Sequence, residues 1–331
     1  MTDQPFALFV AGPTASGKSA LALGLAQRFG GVVINTDSMQ VYAGLELITA
    51  QPSAEDQAAV PHRLYGERDP GQAASAAWWR GRALEEMDAA RAAGKLPILC
   101  GGTGMYFRIL AEGLAEVPPI PQEARDEARG LLAEEGPAAL HARLATVDPA
   151  TAARLRPSDS QRLARAYEVW LGTGKGLSAW QAESSGEPAP WRFAALRLDP
   201  PRDALRDAIA QRWAAMIGGG AVAEVEALRA RGLDPALPAM RAHGVPELSA
   251  MLDGAIDLAE AGRRACLVTG QYTKRQATWF RHQTLVPGVD AARQTHTIHA
   301  RVRDLKQFSE SQRREIFAFV CSRVDAAGER A

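Results

Sequence analysis

The sequence is short of several things, and each shortage removes a class of protein. Its three cysteines, Cys100, Cys266 and Cys321, are odd in number, far apart and without a CxxC spacing. That excludes a disulfide framework and a zinc site and fits a reducing compartment. Net charge is absent as well, since 38 Lys plus Arg balance 38 Asp plus Glu. A uniformly basic nucleic-acid coat protein is thereby excluded, although a local basic patch is not. No stretch approaches the roughly 18 apolar residues of a membrane span. The opening MTDQPFALFV has no basic segment and too short an apolar run for a secretory signal, so a cytoplasmic protein without a membrane partner is expected. Repeats of fixed period and low-complexity tracts are missing too, Ala-rich helical stretches aside. What remains is 331 residues, 47% hydrophobic and 23% charged. At roughly 150 residues per domain this is about two globular domains' worth of chain, and not a disordered one.

Strand-length apolar runs alternate with helical patterns over the first hundred residues. FALFVA at 6–11 predicts a buried strand, followed by a glycine turn at 12–17 and an apolar-periodic helix over 19–29. VVIN at 32–35 predicts a second strand ending at Asp37, and a helix over 75–93 leads to the strand LPILC at 96–100. This alternation of continuously apolar strands with helices predicts an α/β fold with a parallel sheet. The character changes at VPPIP, 117–121. From 122 to 170 a charged, Ala/Leu-rich pattern with stops at Gly136-Pro137, Asp148-Pro149 and Arg156-Pro157 predicts a small all-helical insertion. Residues 172–190 read as loop, 193–198 as a strand resuming the sheet, and 201–230, 245–252 and 255–283 as long helices. The expected division is 1–117 for the first part of the core, 118–188 for the insertion, and 189–331 for the rest of the core with its C-terminal helices.

Gly12, Pro13, Thr14, Ala15, Ser16, Gly17, Lys18 and Ser19 match G-x-x-x-x-G-K-[ST] in full, after a strand and before a helix. The glycines let successive N–H groups turn around phosphate oxygens. The helix N-terminus adds its positive end, Lys18 a point charge, and the Ser19 hydroxyl a ligand for Mg²⁺. The sheet is therefore expected to be P-loop NTPase-like. An ATPase or GTPase would usually carry an acidic residue at the end of another apolar strand, yet the strand at 96–100 runs into Gly101-Gly102-Thr103-Gly104. Asp37 is the nearest carboxylate. It reads equally well as a proton acceptor or Mg²⁺ partner and as a helix cap. Thr14 could present its hydroxyl to a reactant or be loop filler, and the second glycine turn could face the same edge of the sheet or simply pack tightly.

Residues 261–306 hold nine Lys or Arg against two Asp, a local excess of seven on a neutral chain. Within them TKRQATWFRHQ, 273–283, is helical in pattern, and Lys274 with Arg281, and Arg275 with His282, share a face. Cations follow a phosphate backbone and aromatics such as Trp279 and Phe280 stack on splayed bases, but a solvated charged face over a core Trp279 explains the same pattern. QRLARAYEVW at 161–170 and MRAHGVPEL at 240–248 are weaker basic segments. Each has a bland reading, as surface helix or polar loop.

Seven segments in order, GPTASGKS at 12, NTDSMQVYAGLELITAQPS at 35, PHRLYGERDP at 61, CGGTGMYFRIL at 100, DSQRLARAYEVW at 159, MRAHGVPEL at 240 and QYTKRQATWFRHQ at 271, together resemble the tRNA dimethylallyltransferases, the isopentenylpyrophosphate transferase family, bacterial type. The resemblance runs to about residue 285. It implies transfer of the dimethylallyl group of dimethylallyl diphosphate to N6 of the adenine on the 3′ side of the anticodon of tRNA, with Mg²⁺ as cofactor; a monomer is the default expectation. By the same resemblance Lys18, Ser19 with Mg²⁺, the loop amides and Arg212 would meet the diphosphate, and Asp37 would accept the amine proton. Thr14 and Thr103 would position the reactants. Asp37, Ser38, Met39 and Gln40 would surround the extruded base. Other tRNA contacts would come from Arg125; from Gln161, Arg162, Leu163, Ala164 and Arg165; from Met240, Arg241, Ala242, His243, Gly244 and Val245; and from Thr273, Lys274, Arg275, Gln276, Ala277, Thr278, Trp279 and Phe280. Ile48, Gln51, Val245 and Pro246 depart from residues common in the family, and the Cys/His zinc-finger extension of some eukaryotic members is absent. A metabolite kinase would share the phosphate loop but not the basic aromatic helix. An enzyme prenylating free adenine nucleotide would need neither that helix nor the insertion, and a non-catalytic RNA-binding protein would need neither the phosphate loop nor Asp37.

Overall fold

Phe6–Ala11 (β1) is apolar and buried at every position, which a strand must be when both faces of its sheet are covered. Alternate side chains serve opposite faces: Phe6, Leu8 and Val10 join a core with Leu21, Leu25, Ile98 and Val320, while Phe9 stacks on Phe193 at 4.5 Å and meets Phe107 at 4.9 Å. The structure, a computed structural model, describes residues 4–183, 186–288 and 291–328. After β1 come α1 (Lys18–Phe29), β2 (Gly31–Asn35), α2 (Ala54–Ala59), β3 (His62–Arg63), α3 (Ala76–Ala92), β4 (Leu96–Gly101) and α4 (Gly104–Ala111). The middle of the chain forms α5 (Gln122–Val147), α6 (Pro149–Ala152), α7 (Ser160–Thr173) and α8 (Leu177–Glu183). The remainder forms β5 (Arg192–Leu198), α9 (Arg202–Gly218), α10 (Ala221–Ala230), α11 (Val245–Leu252), α12 (Leu258–His282), β6 (Thr295–Ile298) and α13 (Glu310–Gly328).

The six strands form one sheet in the order β3-β2-β4-β1-β5-β6, with every pairing parallel. Ala11 lies beside Gly101 in the β1–β4 register and Asn35 beside Cys100 in the β2–β4 register. The carboxyl ends of β1, β2 and β4 therefore lie side by side, and the loops leaving them share one edge, where open α/β sheets place their ligands. Two compact units emerge: Met1–Ala111 with Ala189–Ala331, and Glu112–Pro188. The second unit has its own core of Ala128, Leu140, Leu144, Leu163 and Tyr167. In it Gly136, at φ 81°, breaks α5 just before Pro137.

Three expectations need correction. The 172–190 segment holds the helix α8, whose Leu177 and Trp180 pack on Ile120, Ala124 and Val169. The helix expected over 201–230 is two helices, because Gly219 and Gly220, the latter at φ 103°, end α9 and start α10. The last long helix begins at Leu258, where Asp257 caps it by accepting the Glu260 N–H at 2.6 Å. The edge strand β6 and helix α13 were not anticipated. THTI is too short and polar to announce a strand, and α13 is covered by its packing of Ile316 and Val320 against the β1 face.

Candidate active site

The phosphate loop leaves β1 at Gly12 and enters α1 through Gly17, whose φ of 90° a side chain would resist. A Cβ on Gly17 would also lie 1.7 Å from the Val302 carbonyl oxygen. From outside, the segment after β6 holds the loop. The Val302 N–H donates to the Ser16 carbonyl at 2.9 Å and the Arg301 Nε to the Ala15 carbonyl at 3.2 Å. Ala15 stands at φ 65°, an uncommon conformation for a non-glycine residue. Lys18 is only 9% exposed while Ser19 is exposed. Burial lowers the Lys18 pKa, Asp37 and Cys100 oppose that shift, and Arg212 adds to it. Cys100, beneath the loop beside Ser19, is pushed up to about 12 by burial and is inert as a thiolate.

Asp37 follows β2 and is held by its own backbone. Asn35 accepts the Asp37 N–H at 2.8 Å and its Nδ2 donates to the Asp37 carbonyl at 3.0 Å, and the Asp37 carboxylate accepts the Met39 N–H at 3.0 Å. It caps no helix, since the next helix starts at Ala54 under Ser53. Its charge acts on Lys18 from α1, Arg212 from α9, Tyr106 from α4, His243 before α11 and Tyr272 from α12. One carboxylate is thus the electrostatic centre of groups drawn from five parts of the chain. Arg212, in turn, has its pKa lowered by burial and raised by Asp37, and donates to the Thr49 carbonyl at 3.0 Å. Gln40 spans the same loop, donating to the Thr49 and Ala50 carbonyls at 3.0 and 2.7 Å.

The second glycine turn belongs to this edge for two reasons at once. Thr103 accepts the Ser38 N–H through its hydroxyl at 3.0 Å, beside Asp37. The glycines admit close neighbours. A Cβ on Gly101 would lie 1.9 Å from the Thr36 carbonyl oxygen, on Gly102 2.3 Å from the Gln276 amide, and on Gly104 2.2 Å from the Trp279 ring. Tight packing and site position were alternatives in the sequence, and both hold.

The segments expected to meet tRNA divide by helix face. On α12, Lys274, Arg275 and Thr278 are exposed and Ala277 and Trp279 half-buried, whereas Thr273, Gln276 and Phe280 are buried against the core. Within 240–245, Arg241 is exposed, Met240 and His243 are half-buried, and Ala242, Gly244 and Val245 are buried. On α7, Gln161, Arg162 and Arg165 are exposed while Leu163 and Ala164 build the core of their unit. On α5 the Arg125 Nε is buried with no hydrogen-bond partner among the described residues. Eight of the expected contacts, Leu163, Ala164, Ala242, Gly244, Val245, Thr273, Gln276 and Phe280, are buried, Leu163 and Ala164 in the core of their unit and Gln276 in hydrogen bonds to Thr14 and Gly102. Ile48, 2% exposed, fills the space beside Gly244, and Val245 begins α11, so those departures serve the interior. Sequence reasoning missed Tyr272, half-buried on α12 with its ring 5.0 Å from that of His243. It also missed Glu224, which accepts the Leu47 and Ile48 N–H groups at 2.8 and 2.7 Å.

Comparison with known proteins gives one answer. The family described as IPP transferase matches residues 40–283. A tRNA dimethylallyltransferase of Acidiphilium cryptum is 61% identical over 95% of this chain and 94% of its own, and one of Granulibacter bethesdensis is 57% identical over 95% and 97%. Among solved structures, the tRNA isopentenylpyrophosphate transferase of Bacillus halodurans superposes with a TM-score of 0.67 at 29% identity, covering 98% of this chain and 99% of that one. A eukaryotic dimethylallyltransferase acting on tRNA superposes with a TM-score of 0.77 at 25% identity, over 93% of this chain and 77% of that one.

Proposed function

The chain belongs to the IPP transferase family, and from that premise we propose that it transfers the dimethylallyl group of dimethylallyl diphosphate to N6 of the adenine 3′ to the anticodon of tRNA. The observation that carries this reading is Asp37, a carboxylate that caps nothing and whose charge acts on the phosphate-loop lysine and on Arg212. An acid–base group beside a diphosphate cradle suits a reaction that makes an amine lose a proton while diphosphate leaves.

The C1–O bond of the allylic diphosphate breaks, the C1–N6 bond forms, and Asp37 takes the N6 proton as that bond forms. Lys18, Arg212 and the amides at the start of α1 stabilise the charge that grows on the departing diphosphate. The adenine leaves its stack to reach Asp37, with Thr103, Ser38, Met39 and Gln40 around it. Lys274, Arg275, Arg241, Gln161, Arg162 and Arg165 supply exposed contacts to the RNA backbone and loop. Among the described residues no group of three His, Cys, Asp or Glu could hold a metal ion. The donor present is the exposed Ser19 hydroxyl, which fits Mg²⁺ held mostly by substrate phosphates and water. When bound there, Mg²⁺ supplies charge neutralisation on the leaving diphosphate.

The test incubates the protein with Mg²⁺, labelled dimethylallyl diphosphate and either unmodified tRNA or AMP. Label on tRNA alone is the expected result. Label on AMP instead, or consumption of ATP with no label on either acceptor, contradicts the reading.

A further inference from the structure

We infer that Gln276 is a positioning residue that locks the diphosphate half of the site to the acceptor half, an inference that rests on the reaction assigned above. Gln276 lies within the basic stretch of α12 yet is 5% exposed. Its Oε1 accepts the Thr14 N–H of the phosphate loop at 2.8 Å and its Nε2 donates to the Gly102 carbonyl of the second glycine turn at 2.9 Å. Gly102 leaves that amide no slack, since a Cβ there would come within 2.3 Å of it. The residue after Gly102 in that turn is Thr103. Thr103 in turn accepts the Ser38 N–H at 3.0 Å. A path of hydrogen bonds joined by one step of backbone therefore runs from Thr14 through Gln276 and Gly102 to Thr103 and on to Ser38, the residue after Asp37.

The two ends of that path are the two reactants' supports. Thr14 belongs to the loop that holds the leaving group, and Ser38 to the loop that carries the base. Bond formation between an allylic carbon and an amine needs both at near-contact distance, and a misplacement of about 1 Å can cost on the order of 100-fold in rate. A buried amide with both ends engaged is well suited to setting such a distance, because breaking either contact strands a polar group away from water. Gln276 touches neither reactant in this arrangement and acts through Thr14 and Gly102.

The experiment compares Gln276→Met, which keeps the volume and removes both hydrogen bonds, with Gln276→Ala and with Lys274→Ala on the exposed face of the same helix. Steady-state constants for each substrate are measured beside direct tRNA binding by gel retardation. Gln276→Met is expected to raise KM for dimethylallyl diphosphate about tenfold and to lower kcat about 100-fold, with tRNA affinity unchanged. Lys274→Ala is expected to weaken tRNA binding and leave KM for dimethylallyl diphosphate alone. A loss of folded enzyme moves neither KM, so that pattern in Gln276→Met overturns the proposal. So does weakened tRNA binding by Gln276→Met with an unchanged KM for the diphosphate, and so does wild-type behaviour of Gln276→Met beside a defective Gln276→Ala, which would leave volume alone as its role. If Gln276→Ala does not fold, the isosteric variant carries the test. Absence of transfer by the wild-type enzyme would overturn the assigned reaction instead.

Discussion

Asp37 and Lys18 show how single residues take their properties from what surrounds them. Asp37 is presented by backbone bonds through Asn35, so replacing it should remove the base and leave the loop in place. Asp37→Asn is expected to lower single-turnover transfer by about 100- to 10,000-fold, the range for loss of a general base, with tRNA binding retained in a retardation assay. Lys18 is buried, and burial disfavours its charged form, so its pKa in the folded enzyme lies below 10.5. Between that folded value and 10.5 the unfolded chain binds more protons, so the Lys18 contribution to stability of the free enzyme grows as pH rises through the window. Bound diphosphate needs the protonated lysine and reverses the preference. Over that alkaline window the stability of wild type minus that of Lys18→Met should therefore rise, while KM for dimethylallyl diphosphate climbs in wild type. Chemical denaturation and steady-state rates measured across the window check both.

Among the elements, α12 carries the most, and though the sequence shows it as a helix, it hides which face is buried. Its Lys, Arg and aromatic residues announce a surface, yet Ala261, Ala265, Thr273, Gln276 and Phe280 are buried along the other side. Those positions step by four, eight, three and four, which is a core face written, Phe280 apart, in small and polar residues that carry little hydrophobic signal. The apolar strands β1, β2 and β4 could be read directly, because strands buried on both faces need continuous Val, Ile, Leu and Phe. Asp37 was placed by sequence at the end of β2, but whether it capped a helix depended on what followed, and only the structure shows a loop there. Contact between α12 and the second glycine turn is the tightest part of this packing. Gly104→Ala would place a methyl group 2.2 Å from the Trp279 ring. It should cost about 1–3 kcal/mol of stability, as over-packing does. Adding Trp279→Leu should recover part of that loss, and a double-mutant cycle of urea unfolding measures the coupling. Additive losses would mean that the two residues do not press on each other.

Across the whole molecule, neutrality hides a segregation of charge. The excess of 261–306 is not one patch. Arg263 and Arg264 pair with Glu260 and Arg281 with Asp199, while Arg301 is turned to the phosphate loop. Of the cations on α12, Lys274 and Arg275 are thus left for an RNA backbone, with Arg275 5.6 Å from the Tyr272 ring. The slope of log affinity for tRNA against log salt should accordingly fall by about one on Lys274→Ala, with a like change for Arg275→Ala, and by little on Arg263→Ala. Fluorescence titration at several salt concentrations reads this directly. The account as a whole turns on where the prenyl group goes. The decisive measurement digests tRNA after reaction to nucleosides and weighs them, using one tRNA with the adenine 3′ to its anticodon and one with guanine there. The account predicts N6-dimethylallyladenosine from the first and no prenylated nucleoside from the second; prenylation of both, or of neither, would contradict it.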